Sequence, residues 1–221
     1  MPEALDVAAP LVRLSPPGGQ FFFGYYDLPA ADARGRHLCL QVPFRDHFPT
    51  PGDKALLGWL PLPTAGGLAA EPQLEVFGET VAWNFQQGCM LQWLAQPDVC
   101  LYNTFGDGAF GCCIHNLATG AQRHLPRAVT NVAQDGTKAV CVNMARIYDF
   151  RPGYGYEEIK DPFTDIAAPA DDGVYMMDLA TGDSRMVTHQ TAPGIGPQVG
   201  DPLLPFPLSR PAIGQQTCSA F

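Results

Sequence analysis

Tyr25, Tyr26, His47 and Arg146 are the side chains whose types suit proton transfer beside an anion. A tyrosine or histidine can take a proton from carbon while an arginine or an amide neutralises the adjoining carboxylate, as β-elimination at a uronate requires. Asp27, Gln86, Gln87, Asn103, Arg151, Tyr154 and Tyr156 supply rings, amides and charge of the kind that holds a sugar bearing a carboxylate. Each also has a plainer reading. Tyr25-Tyr26-Asp27 can tie neighbouring strands together through ring packing and a turn-capping carboxylate. In Arg45-Asp46-His47-Phe48-Pro49 the carboxylate can fix an imidazole tautomer for proton transfer, but the same triplet reads as a solvated turn.

Other chemistries lack their residue patterns. The five histidines (His37, His47, His115, His124 and His189) stand apart, with no paired spacing for a metal, so no metal ligand is assigned and the cofactor stays open. Asp171-Asp172-Gly173 could hold a cation and reads more simply as a turn before a strand. Gly106-Asp107-Gly108 lacks the spacing and following helix of a phosphate loop, and no Gly-x-Ser-x-Gly elbow occurs. The seven cysteines follow no ligand spacing, and most sit singly in apolar runs as buried thiols do.

A formal charge of −9 argues against a phosphate-tracking surface, since nucleic-acid affinity comes from clustered Lys and Arg. No nucleic-acid partner is expected. The opening residues contain no apolar core of the signal-peptide kind, and no run approaches the roughly 20 apolar residues of a transmembrane helix, so a cytoplasmic protein without a membrane partner is expected.

The elements that must position these groups are short strands. Pro and Gly number 22 and 23 in 221 residues while apolar residues stay abundant, which favours strands and turns over disorder. After an extended leader, 1–20, strands are predicted at Phe21–Asp27, His37–Val42, Ala55–Leu62 and Leu74–Phe77. A second set covers Gly88–Trp93, Val99–Asn103, Gly111–Leu117 and Gln122–Leu125. A third runs from Ala128 to Val132, Lys138 to Asn143, Gly173 to Leu179 and Ser184 to Val187. Asn116-Leu-Ala-Thr-Gly120 and Asp178-Leu-Ala-Thr-Gly182 repeat as hairpin turns between third and fourth strands. Four-stranded repeats of this kind indicate propeller blades, about 21–80, 83–127 and 128–190, with a roughly 27-residue insertion at 146–172 and an irregular Pro-rich tail at 191–221. In this frame Trp83 to Asn103 is a junction between blades, its first half a strand with a polar lip near the channel.

Phe23-Gly24-Tyr25-Tyr26-Asp27, Arg34-Gly35-Arg36, Trp83 through Trp93, Arg151-Pro152-Gly153-Tyr154-Gly155-Tyr156 and Asp171-Asp172-Gly173 together resemble the N-terminal half of bacterial TolB-like propellers related to the oligogalacturonate and ulvan polysaccharide lyases. The resemblance spans roughly residues 21–190. It implies an all-β fold, a partial propeller of about three blades from a seven-bladed parent, completed by further blades of a parent chain or a partner chain. It implies a carbohydrate-active protein that cleaves or binds acidic oligosaccharides, inactive as this chain alone. The divalent metal of the oligogalacturonate lyases would be held by histidines of later blades, which nothing in this chain matches. The alternative is a non-catalytic propeller serving as a scaffold for a small ligand or a protein.

Overall fold

The computed structural model describes residues 13–63 and 72–189. The stretch 1–12 of the expected leader and the tail 191–221 lie outside the described residues. The strands are β1 (Gln20–Phe22), β2 (Arg36–Val42), β3 (Ala55–Pro61), β4 (Glu75–Thr80), β5 (Gln92–Trp93), β6 (Val99–Gly106), β7 (Ala109–Asn116), β8 (Gln122–Leu125), β9 (Val129–Val132), β10 (Lys138–Cys141), β11 (Gly173–Asp178) and β12 (Ser184–His189). Among the described residues there is one helix, α1, covering Met144–Phe150. The fold is all-β: β1–β4, β5–β8 and β9–β12 form three four-stranded antiparallel sheets, each in chain order.

Alternation along the strands divides the core. Leu38, Leu40 and Leu57 of the first sheet point at Cys100, Tyr102 and Cys113 of the second, with Trp83 and Trp93 between. The opposite face of the second sheet, Leu101 and Cys112, packs on Ala139, Cys141, Tyr175 and Met177 of the third. The middle sheet is therefore apolar on both faces, which explains its cysteine-rich reading. The six cysteines among the described residues are free and buried.

The twin Leu-Ala-Thr-Gly turns superpose in their bonding. Asn116 Oδ1 accepts from the amides of Ala118 and Thr119, and Asp178 Oδ1 accepts from those of Ala180 and Thr181. Gly120 and Gly182 close the turns by donating to the carbonyls of Asn116 and Asp178, at φ +74° and +83°.

Two expectations are corrected. Trp83–Leu91 is not a strand: Asn84 and Gly88 exchange backbone hydrogen bonds around a tight turn, Gly88 and Met90 have φ of +59° and +56°, and only Gln92–Trp93 joins the sheet. The insertion is no plain loop either. It is entered through α1, whose first turn is capped by the Asn143 side chain accepting from the Arg146 amide. Gly155 then folds the following segment back on the helix; a Cβ there would lie 2.2 Å from the Met144 carbonyl oxygen and its φ is +67°. The first strand is also shorter than expected: β1 is Gln20–Phe22, and Phe23–Asp27 leaves the sheet and ends in a turn.

Candidate functional site

Asn84 builds the polar lip, and the reason is local. Its Oδ1 accepts from the amides of Gln86 (2.9 Å) and Gln87 (2.7 Å), the Asx turn that Asn favours over strand pairing. Its Nδ2 donates to the Gly155 carbonyl at 2.9 Å and so hooks the insertion to the turn. On the other flank Gly88 meets Gly24 backbone to backbone, where a Cβ on Gly88 would sit 3.4 Å from the Gly24 Cα. The turn thus gathers Phe23–Asp27 and Gly153–Tyr156, segments far apart in the chain. Asn84 is only 2% exposed and was not among the residues expected from sequence, although Asn followed by Gly at the fourth position after it is a turn signal.

Of the expected ligand-binding residues, Gln86, Gln87, Arg151 and Tyr154 fall on this lip. The Tyr154 hydroxyl donates to Gln86 Oε1 at 3.4 Å, and the Arg151 guanidinium lies 4.2 Å from the Tyr154 ring centroid. Tyr25 and Tyr26 are neighbours with ring centroids 5.0 Å apart, the second 87% exposed. His47 stands elsewhere, on the loop between β2 and β3. Its Nδ1 is 2.9 Å from Asp46 Oδ1 and its ring stacks on Phe44 at 3.8 Å.

Three expected site residues are structural. Arg146 is buried: Nη1 donates to Asp161 at 2.7 Å, and its other donors reach the carbonyls of Phe163, Ile166 and Ala167. Its fork is spent on knotting the insertion, so it is not placed to neutralise a substrate carboxylate. Asn103 and Tyr156 are as deeply enclosed. Asn103 Nδ2 donates to the Tyr156 hydroxyl oxygen (2.8 Å) and the Val129 carbonyl, and Oδ1 accepts from the Val129 amide. Burial, with Cys89 nearby, pushes the Tyr156 phenol far above its ordinary range and leaves it a neutral acceptor.

A cavity of about 660 Å³ lies where the first loop of each sheet converges. Asp27, Asp32, Arg34 and Arg36 come from the β1–β2 connection, Gln92, Trp93, Gln96 and Asp98 from β5 and its turn, and Asn131 and Gln134 from the β9–β10 hairpin. Its charges are organised by Arg36, which binds Asp32 (2.5 Å) and Asp98 (2.8 Å) and stacks 4.6 Å from the Trp93 centroid. Arg34 also reaches Asp98 at 2.5 Å while its side chain stays 62% exposed. Burial raises the Asp32 carboxyl, but the amide and guanidinium of Arg36, then the Arg34 amide, outweigh it and hold it below the usual range. Asp32 to Arg36 is a tight turn in which Asp32 Oδ1 accepts from the amides of Arg34 and Arg36, and Asp at the head of that turn is the signal the sequence carries.

Among the described residues no group of three or more His, Cys, Asp or Glu is placed to hold a metal ion. No described helix is long and apolar enough to cross a membrane. No protein-family model, curated protein or solved structure matches the chain.

Two histidines give the fold a pH dependence. His37 packs edge-on to Phe23 with a buried Nδ1 that has no hydrogen-bond partner, and His115 is 5% exposed between Phe77 and Tyr102. Burial lowers both pKa values. The unfolded chain then binds protons that the folded one resists. Stability is full above the free imidazole value of about 6.5 and declines as pH falls from there through the folded values. Melting temperature should drop as pH falls below about 6.5, and a His37→Gln, His115→Gln variant should show a shallower drop. An unchanged slope in that variant refutes the assignment.

Proposed function

We propose that this chain is a ligand-binding β-propeller module whose three sheets are consecutive blades, and that it holds a short hydroxyl-rich ligand, of the acidic oligosaccharide class, between the cavity and the lip. The observation carrying this reading is the convergence of three equivalent loops, one per sheet, on a single cavity of about 660 Å³. Equivalent inner loops meeting at one axis are what a propeller uses to form its ligand mouth. Amides at Gln96, Asn131 and Gln134 suit hydroxyls, and the exposed Arg34, with Arg151 over Tyr154 on the lip, suits a carboxylate.

Binding is favoured over cleavage because the expected catalytic groups lie apart. Arg146 is engaged by Asp161, His47 sits on Phe44, and the cavity lining begins at Asp27, after Tyr25 and Tyr26. A propeller scaffold without chemistry of its own is the reading these positions support.

Titration calorimetry with a panel of neutral and uronate-containing oligosaccharides tests it. Uronate binding that weakens about tenfold in Arg34→Ala, and again in Arg151→Ala, is the expected result. No binding across the panel sinks the ligand reading. Appearance of the unsaturated, ultraviolet-absorbing product during the same incubations would instead restore the lyase reading, with Tyr25 and Tyr26 as its bases.

A further inference from the structure

The two arginines of the cavity wall are held on unequal terms. Asp98 Oδ1 accepts from Arg34 Nη1 at 2.5 Å and lies 2.8 Å from Arg36 Nη2, so one carboxylate oxygen serves both guanidinium groups. Arg36 also grips Asp32 through two nitrogens, Nε at 2.8 Å and Nη2 at 2.5 Å. Arg34 reaches Asp98 through Nη1. Its side chain is 62% exposed, against 15% for Arg36 and 11% for Asp98.

An ion pair with one partner so open to water contributes little, because solvent and salt screen it and a long side chain must be held still to make it. Arg34 therefore leaves Asp98 at small cost. Asp98 is not stranded when it does, since Arg36 stays at 2.8 Å. Withdrawing Arg36 instead would leave two enclosed carboxylates, Asp32 and Asp98, without the cation they share. Of the two cations, Arg34 is the one that can change partner.

The backbone keeps Asp98 in place for this exchange. In the turn that the Val99 amide closes on the Gln96 carbonyl, Asp98 takes φ +62°, and its own carbonyl accepts from the Leu117 amide at 2.7 Å. Left-handed backbone is uncommon for a residue with a side chain, and Asp and Asn tolerate it best. The following hairpin thus fixes the conformation in which the carboxylate meets both arginines.

We infer that Asp98 is a specificity-determining residue of the cavity: it is a resident competitor for Arg34, and a ligand gains Arg34 by displacing it. The inference rests on the ligand-binding reading and deepens it. Asp98 takes one N–H of Arg34, whereas a uronate carboxylate can take the guanidinium fork through two parallel hydrogen bonds, the stronger arrangement. A sugar hydroxyl carries no charge and leaves the Arg34–Asp98 pair intact. Acidic ligands are selected over neutral ones of the same shape, and the link from Arg36 to Asp98 that joins the first sheet to the second is kept throughout.

The test is calorimetry with a galacturonate trimer and the neutral galactose trimer on the full chain. Asp98→Asn keeps the shape and the tolerance for positive φ while removing the charge, and it should bind the acidic trimer about fivefold more tightly than the unsubstituted protein, with the neutral trimer unchanged. In an Arg34→Ala background the same substitution should bring no gain. Circular dichroism checks the fold; should Asp98→Asn not fold, Asp98→Gly takes that φ without strain and replaces it. Acidic binding that is unchanged or weaker in the Asp98 variant, or a gain that persists without Arg34, overturns the competitor assignment and leaves the ligand reading standing. If neither trimer binds any of the proteins, the ligand reading falls and inorganic sulfate decides the assignment. The Arg34 Nε–H resonance, identified by its loss in Arg34→Ala, should then titrate with sulfate at about fivefold lower concentration in Asp98→Asn, and equal midpoints overturn the inference.

Discussion

Asn103→Ala is expected to cost the fold about 3–5 kcal/mol, a large part of the stability of a domain this size. Asn103 is fully buried, and its amide makes both hydrogen bonds to the backbone of Val129 and a third to the Tyr156 hydroxyl oxygen, at 2.8–2.9 Å. Its own backbone is engaged too: the amide donates to Cys89 and the carbonyl accepts from Thr80 Oγ1. One side chain therefore ties the second sheet to the start of the third and to the middle of the insertion. Truncation orphans a buried N–H, a buried C=O and a buried hydroxyl, each at about 1–3 kcal/mol before any relaxation. Asn103→Leu should do no better, because filling the volume leaves the same three groups unpaired. Tyr156→Phe removes one bond only and should cost about 1 kcal/mol. Urea unfolding with an unchanged m-value measures all three; a loss below about 1 kcal/mol for Asn103→Ala would mean that water or a shifted backbone replaces the amide.

Asp161→Ala should be of similar size, about 3–5 kcal/mol, for a different reason. Asp161 accepts from Arg146 Nη1 (2.7 Å), Asn143 Nδ2 (2.8 Å) and the Phe163 amide (3.1 Å), and its side chain is 1% exposed. Removing it takes from the buried Arg146 cation a carboxylate at 2.7 Å, while Asp172 stands farther off, at 3.9 Å. Charge burial is costly when uncompensated, so Arg146→Met, Asp161→Leu should recover part of the loss that Asp161→Ala incurs. Recovery will be incomplete, since the carbonyls of Phe163, Ile166 and Ala167 lose their donor. The measurement is a double-mutant cycle on unfolding free energy. Additive single effects would show that the pair is not coupled. Because this knot sets the shape of the insertion, Asp161→Ala should also weaken any ligand contact made through Arg151 and Tyr154.

How far each feature was legible depends on the range of the interaction behind it. The β-strands from β2 to β4 and from β6 to β12 were readable because period-two alternation and turn residues act within a few positions. The twin Leu-Ala-Thr-Gly hairpins were readable for the same reason. The stretch after Trp83 was misread because its aromatic and apolar residues resemble a strand, while the Asn84 side chain competes for the backbone amides and wins. The helix α1 was missed since Met144–Phe150 is short and its cap, Asn143, follows a strand without a break. Arg146, Asn103 and Tyr156 were credited with ligand contact on residue type alone. Their partners lie 15 to 53 positions away, and a polar side chain bonded at that range looks the same in sequence as one waiting for a ligand.

By itself, then, the sequence determined an all-β chain of three four-stranded sheets with Leu-Ala-Thr-Gly turns, since strand pattern and turn chemistry are local. Only the tertiary structure decided which polar residues are open to solvent and which are consumed. Gln86, Arg151 and Tyr154 were left on an accessible lip, Arg146 and Asn103 were spent inside, and Arg36 was drawn between Asp32 and Asp98 at the wall of a cavity that three distant loops share. Burial and hydrogen-bond partnership are set by which segments meet, and no spacing along one segment carries that information.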